Sequence, residues 1–260
     1  MASTIIRVDK KGGSWVIINR PEVRNALDLE TANELSKALE ECAGDDECRV
    51  VVLTGEGDCF CAGGDVVAMH KAEQKGDLGQ YLRRISRAIN RSILTMKGMN
   101  KPVIAAVNGP AMGAGFSLML GADLRISVDT AKFAMSFRNI GLASGCGTYL
   151  LPRMIGQAKA SELVLMGEVI DAKEAKRLGL INETVKPKDL VKVTERYLMN
   201  LTSGPAKALA LSKDLLNKSL EGTMSDHCER EAEAIGRSGE ARDGKEGIKA
   251  FVEKRRPKFS

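Results

Sequence analysis

Short apolar runs, turn residues and helical periods follow one another along this chain. Residues 4–8 and 15–19 are rich in β-formers and are separated by Lys11-Gly12-Gly13, the signature of a hairpin. A helix is expected next: Asp28 is an N-cap, Ala32, Leu35, Leu39 and Cys42 recur on one face, and Gly44 closes it. Residues 49–53 and 103–107 read as buried strands. Asn108-Gly109-Pro110 breaks the second of these just before a helix-like stretch, 113–122, and 124–128 is a further strand. The later half is mainly helical, over 158–166, 172–178, 190–201 and 205–220. This alternation of strand, turn and helix predicts an α/β fold with one core, residues 1–200, followed by a helical region, 201–260. From 225 onward the chain is charged, with few large apolar residues, Ile235, Ile248, Phe251, Val252 and Phe259 among them. Such helices need a surface to pack on, either the core or another subunit, which favours an oligomer.

Length and composition agree with one large soluble unit: 260 residues, 43% hydrophobic and 28% charged. The first nine residues show no leader-like apolar run, and no segment approaches the roughly 18 apolar residues of a membrane span. The expectation is a cytoplasmic protein with no membrane partner. Six scattered cysteines in a chain of this size fit reduced thiols better than a disulfide framework. Cys59 and Cys61 do not make a CxxC pair, and with His70 and His227 as the only histidines no metal site is expected. The net charge of +5 is interspersed with acids, so no nucleic-acid partner is expected, while a polyanionic small molecule suits it.

Two segments carry candidate chemistry. In Phe60-Cys61-Ala62-Gly63-Gly64-Asp65-Val66, small residues after a buried strand let backbone approach a ligand. In Asn108-Gly109-Pro110-Ala111-Met112-Gly113-Ala114-Gly115, a strand ends and a helix opens, presenting free N–H groups to an oxyanion. Neither is a nucleotide-phosphate loop: GxxxxGK[ST] is absent, and Gly145-Cys146-Gly147-Thr148-Tyr149-Leu150 lacks the third glycine of a dinucleotide loop. Gly115-Phe116-Ser117-Leu118-Met119 lacks the last glycine of a serine-hydrolase elbow.

In this order, and flanked as they are, the two segments resemble the enoyl-CoA hydratase/isomerase (crotonase) family. Asn19-Arg20-Pro21 with Asn25-Ala26-Leu27 is similar to its N-terminal signature, and Ile140-Gly141-Leu142 with Leu151-Pro152-Arg153 to its central one. Residues 246–255 are similar to its last helix. The resemblance implies a crotonase-like (ClpP/crotonase) fold of repeated ββα units, with a C-terminal helical region that builds a homotrimer or a dimer of trimers. It implies an acyl-CoA thioester as substrate, with coenzyme A as part of that substrate and no tightly bound cofactor. The N–H groups of Gly64 and Ala114 would form an oxyanion hole. Arg24, Ala26, Ala62, Asp65 and Val66 would line the adenine and pantetheine path, and Phe251 and Lys254 would close over the nucleotide from the terminal helix.

The chain departs from the family in its acid/base groups. Two glutamates of the family's hydratases fall at Ser117 and Phe137, an isomerase acid falls at Ser144 or Gly145, and the central turn is one residue short. Ser117 is a substitute for positioning a water or a substrate oxygen, its other role being a hydroxyl bonded to its own helix. His70, five residues past Asp65, is a substitute base or an exposed helical histidine. The activity expected is that of a lyase or isomerase on an acyl-CoA thioester enolate. Its alternatives are a noncatalytic acyl-CoA binder or regulatory subunit, a decarboxylase and a thioester hydrolase.

Overall fold

A computed structural model describes residues 3–260. Strand β1 (Ile5–Lys10) turns at Lys11-Gly12 and pairs antiparallel with β2 (Gly13–Ile18). Helix α1 (Leu29–Gly44) follows, its first turn capped by Asp28, whose carboxylate accepts the Thr31 N–H at 2.8 Å. Strand β3 (Val50–Gly55) then runs parallel to β2. After it come α2 (Val66–Gln74) and α3 (Leu78–Gly98), the longest helix of the fold. Strand β4 (Val103–Val107), the short β5 (Ala111–Met112), helix α4 (Ala114–Gly121), β6 (Leu124–Val128) and β7 (Lys132–Ala134) complete the strand-rich part.

The rest is largely helical: α5 (Leu151–Ile155), α6 (Gln157–Met166), α7 (Ala172–Arg177), α8 (Leu190–Thr202), α9 (Ala206–Asn217), α10 (Met224–Glu240) and α11 (Arg242–Val252). Only β8 (Ile170–Asp171) and β9 (Glu183–Val185) interrupt it.

The main sheet has the order β1-β2-β3-β4-β6-β9, parallel from β2 onward, and a second sheet has the order β5-β7-β8. A ββα unit recurs as β1-β2-α1, β4-β5-α4 and β6-β7-α5. Strands β3 and β4 are buried along their whole length, which is why they read as solid apolar runs rather than alternating ones. Helix α1 packs on α3 and touches β1 and β2, while α8 touches β3, β4 and β6.

Sequence analysis assigns no element to residues 66–98, and here the structure adds two helices. The signal for α3 is present in the spacing of Ile85, Ile89, Ile93 and Met96, all buried on one face. Its C-terminal end is tied down by Lys213 of α9. That ammonium donates to the carbonyls of Met96 and Lys101 at 2.5 and 2.7 Å and pairs with Asp123 at 2.7 Å. Beyond it, α10 packs on α9 and α11.

Candidate active site

Two backbone segments, 55–65 and 108–115, meet side by side and form one wall of the site. Cys61 N–H donates to Pro110 O at 3.1 Å, and Met112 N–H donates to Cys61 O at 2.9 Å, a parallel bridge between Cys61 and Ala111. Asn108 fastens the bases of both: its amide donates to Gly55 O and Gly57 O at 2.9 and 2.8 Å. Gly115 is a glycine because a Cβ there would overlap the Cys61 carbonyl. The first segment is fastened from behind as well. Ala62 N–H donates to Arg24 O, Leu27 N–H to Gly63 O and Asp65 N–H to Leu27 O, at 3.0, 2.7 and 2.8 Å.

This lattice decides where two N–H groups point. In the Leu27–Gly64 bridge, Gly63 O and Asp65 N face Leu27, so the Gly64 N–H faces the other way, into the cavity that Gly64 lines. Ala114 is the first residue of α4, one of the positions whose N–H has no partner within the helix. Gly113 before it adopts φ 50°, ψ −113°, a conformation that L residues avoid, and this turns the chain so that α4 starts at the cavity. Among the described residues neither N–H has a backbone acceptor. Two N–H groups without a backbone acceptor thus stand on one cavity wall, one of them at a helix start, where free N–H groups suit an anion.

The cavity they face holds about 580 Å³. Its other wall comes from α3 and from residues 136–146, including Leu82, Ile85, Ile89, Phe137 and Ile140. Among the described residues no carboxylate and no histidine lines it. The ionisable groups in the wall are Arg83, Arg87 and Cys146, and burial pushes the Cys146 thiol up to about 11, so it is neutral near pH 7. Cys146 is held at φ 64° in a three-residue turn closed by Gly147 N–H to Gly145 O at 2.7 Å.

The other residues singled out by sequence fall into three groups. Ala62 and Val66 line the cavity. Arg24, Ala26 and Asp65 stand behind it: Arg24 is exposed and supplies a carbonyl, and Ala26 is buried. Asp65 caps α2 through the Ala68 N–H at 3.1 Å and pairs with Arg20 at 3.0 Å. The third group does not line the cavity. Ser117 is fully buried, its hydroxyl 3.1 Å from its own helix at Gly113 O and 3.3 Å from Gly145 O, with Gly147 closing the space above it. His70 turns to solvent beside Glu73 and Gln74. Phe251 is 85% exposed and Lys254 is exposed, on or just after a helix packed against α9 and α10. The reading of the residues did not single out Arg83, Arg87 or the α3 wall as part of the site, because it placed no helix there. The unbroken helical period of 78–98 is the signal that finds them.

Comparison with known proteins places the chain. The family model described as enoyl-CoA hydratase/isomerase matches residues 10–260. The chain belongs to the enoyl-CoA hydratase/isomerase family. It is 34% identical to a 1,2-epoxyphenylacetyl-CoA isomerase of Escherichia coli, over all of this chain and 99% of that one. It is 36% identical to a crotonyl-CoA hydratase of Syntrophomonas wolfei, over 93% of this chain and 92% of that one. The crystal structure of an enoyl-CoA hydratase from Polaromonas sp. JS666 superposes with a TM-score of 0.93 at 33% identity, covering 98% of this chain and 99% of that one. The fold is therefore the crotonase fold. Isomerases and hydratases stand at similar distances, so the reaction has to be argued from the site.

Proposed function

We propose that this family member binds an acyl-CoA thioester with its carbonyl oxygen between the N–H groups of Gly64 and Ala114, and acts on it as a lyase or isomerase. The observation that carries the reading is the pair of acceptor-free N–H groups on one cavity wall. Removing an α-proton, adding a nucleophile at Cβ or losing a carboxylate all place negative charge on that oxygen. A preorganised donor there contributes about 3 to 4 kcal/mol. The pantetheine and adenine run past Ala62 and Val66 toward the loop of Arg24 and Ala26, which is tied to the first donor segment. Closing over the nucleotide falls to Phe251 and Lys254 of a neighbouring copy in a trimer or dimer of trimers, since in their own chain neither lines the cavity.

The opposite wall narrows the chemistry. A positioned acid or base contributes roughly 10²- to 10⁴-fold in rate, and no carboxylate or imidazole in this wall supplies one. Ser117 and His70 do not replace it: the first is spent on its own helix and the second faces solvent. The favoured substrate is one that brings its own electrons to the enolate, as a departing carboxylate does, rather than one awaiting fast hydration. The same missing base favours a second reading, a noncatalytic acyl-CoA binder.

Mass spectrometry of the protein with saturated, 2-enoyl, 3-enoyl and malonyl-type CoA thioesters separates these readings. Loss of carbon dioxide is expected, whereas an isomer shift, followed by chromatography because it leaves the mass unchanged, would require the missing base. Gain of water at the rates of ordinary hydratases, or release of free CoA, overturns the base-free assignment, and tight binding without turnover leaves the binder.

A further inference from the structure

We infer that the cavity recognises a second anionic group beyond the thioester, a carboxylate carried by the acyl chain, so that the substrate class is the CoA thioester of a dicarboxylic acid. The inference rests on the thioester reading above and specifies the acyl group.

It begins with an imbalance on α3. This 21-residue helix carries Arg83, Arg84, Arg87, Arg91 and Lys97 and no acidic residue. Exposed arginines on helices ordinarily gain from acids three or four positions away. Around Arg83 those positions hold Gly79, Gln80, Ser86 and Arg87, and around Arg87 they hold Arg83, Arg84, Asn90 and Arg91. Arg83 and Arg87 therefore share one stripe as two like charges, which repel.

That stripe is the one at the cavity. Arg83 and Arg87 line it, whereas Arg84 and Arg91 of the same helix do not. No acid lines the cavity, and among the described residues neither guanidinium forms an ion pair. The polar side chains that line the cavity with them, Ser86, Ser136 and Asn139, are neutral. Both are exposed, and a purely hydrocarbon acyl chain would leave them water alone as a partner at the cavity. A carboxylate instead meets the two-pronged donor geometry that guanidinium offers and relieves the repulsion between the two. The phosphates of CoA are the other source of negative charge, so the test must tell the two apart.

Calorimetric titration of the full-length protein with glutaryl-CoA, valeryl-CoA and free CoA does so, because the two thioesters have the same carbon count and share the CoA moiety. Succinyl-CoA and adipyl-CoA complete a length series. The best dicarboxylic thioester is expected to bind about tenfold tighter than its monocarboxylic counterpart, the increment of a hydrogen-bonded charge pair. High salt should shrink that preference. Arg83→Gln and Arg87→Gln should each remove about tenfold from the dicarboxylic thioester and leave valeryl-CoA and free CoA within about twofold. Arg87→Lys should fall between, and Arg84→Gln should change nothing. Equal binding of both thioesters at every length overturns the inference while the thioester reading stands. Equal weakening of all three ligands by the arginine substitutions also overturns it and assigns the arginines to a CoA phosphate. No binding of any thioester overturns both.

Discussion

The two walls of the cavity are built from different materials. On the donor side, segments 55–65 and 108–115 are held backbone to backbone, through the Cys61–Ala111 bridge, the Asn108 amide and a glycine where a side chain would collide. The working atoms there are main-chain N–H groups, which any sequence that keeps the small residues will place alike. On the α3 side the lining is made by side chains, Arg83 and Arg87 on the helix, Phe137 on the short 3-10 segment 136–140 and Cys146 on its turn. The difference teaches that one cavity can take its two walls from main-chain atoms on one side and from side chains on the other. In the function proposed here, anion stabilisation falls to backbone geometry, and the choice of substrate and proton chemistry to the side chains opposite.

The largest expected effect attacks the donor wall directly. Ala114→Pro removes one donor at a helix position where proline's φ is already suited, so stability should change little. Turnover of whichever thioester the protein consumes should fall by about 10²- to 10³-fold in steady-state assays. A smaller loss would mean that the second N–H is not an oxyanion donor. Next, Phe137→Glu places a carboxylate on the side-chain wall without touching the donors. Hydration of a 2-enoyl-CoA, followed by loss of enoyl absorbance, should rise by about 10²-fold. No gain would show that the chemically blank wall is not what limits hydration.

Gly115→Ala tests the lock itself. The added methyl meets the Cys61 carbonyl, and denaturant unfolding should show a loss of about 1 to 3 kcal/mol. An unchanged midpoint would mean that the two segments slide apart freely. The smallest effect belongs to Cys146. Burial pushes its thiol up to about 11, and among the described residues no carboxylate or imidazole lines the wall, so the pH–rate profile should be flat from about pH 6 to about pH 9. Cys146→Ser should stay within about twofold of the parent. A rate that climbs tenfold per pH unit across that range would identify the thiolate as a base and end the base-free account of this wall.

Much of the fold can be read along the chain. The hairpin at Lys11-Gly12, the Asp28 cap, the solid runs that become β3 and β4, and the helices of the later half all appear where local pattern places them. Helices α2 and α3 escape because their neighbourhood begins with the glycines of the donor loop, and the period of Ile85, Ile89 and Ile93 emerges only once the window moves past residue 78. The two segments that hold Gly64 and Ala114 are legible for a physical reason, since glycine runs at a strand end and a helix start mark exposed N–H groups, while the choice of these two residues within them is what the family resemblance implies. Ser117 and His70 are not legible in the same way, because residue type alone does not say whether a hydroxyl or an imidazole faces a cavity, its own helix or water.

What the sequence by itself determined is thus most of the local elements, the two glycine-rich segments, and a serine and a phenylalanine at residues 117 and 137. Each of these depends on residue identity and on neighbours within a few positions. Only the tertiary structure decided that the two loops, some 50 residues apart, lie against each other so that their N–H groups share one cavity. It also decided that Ser117 is sealed under Gly147, and that two of the four arginines of α3 reach the cavity wall. Those facts depend on which faces meet when the sheet and helices close over a common core, and burial of apolar surface selects that arrangement for the chain as a whole rather than for any one segment.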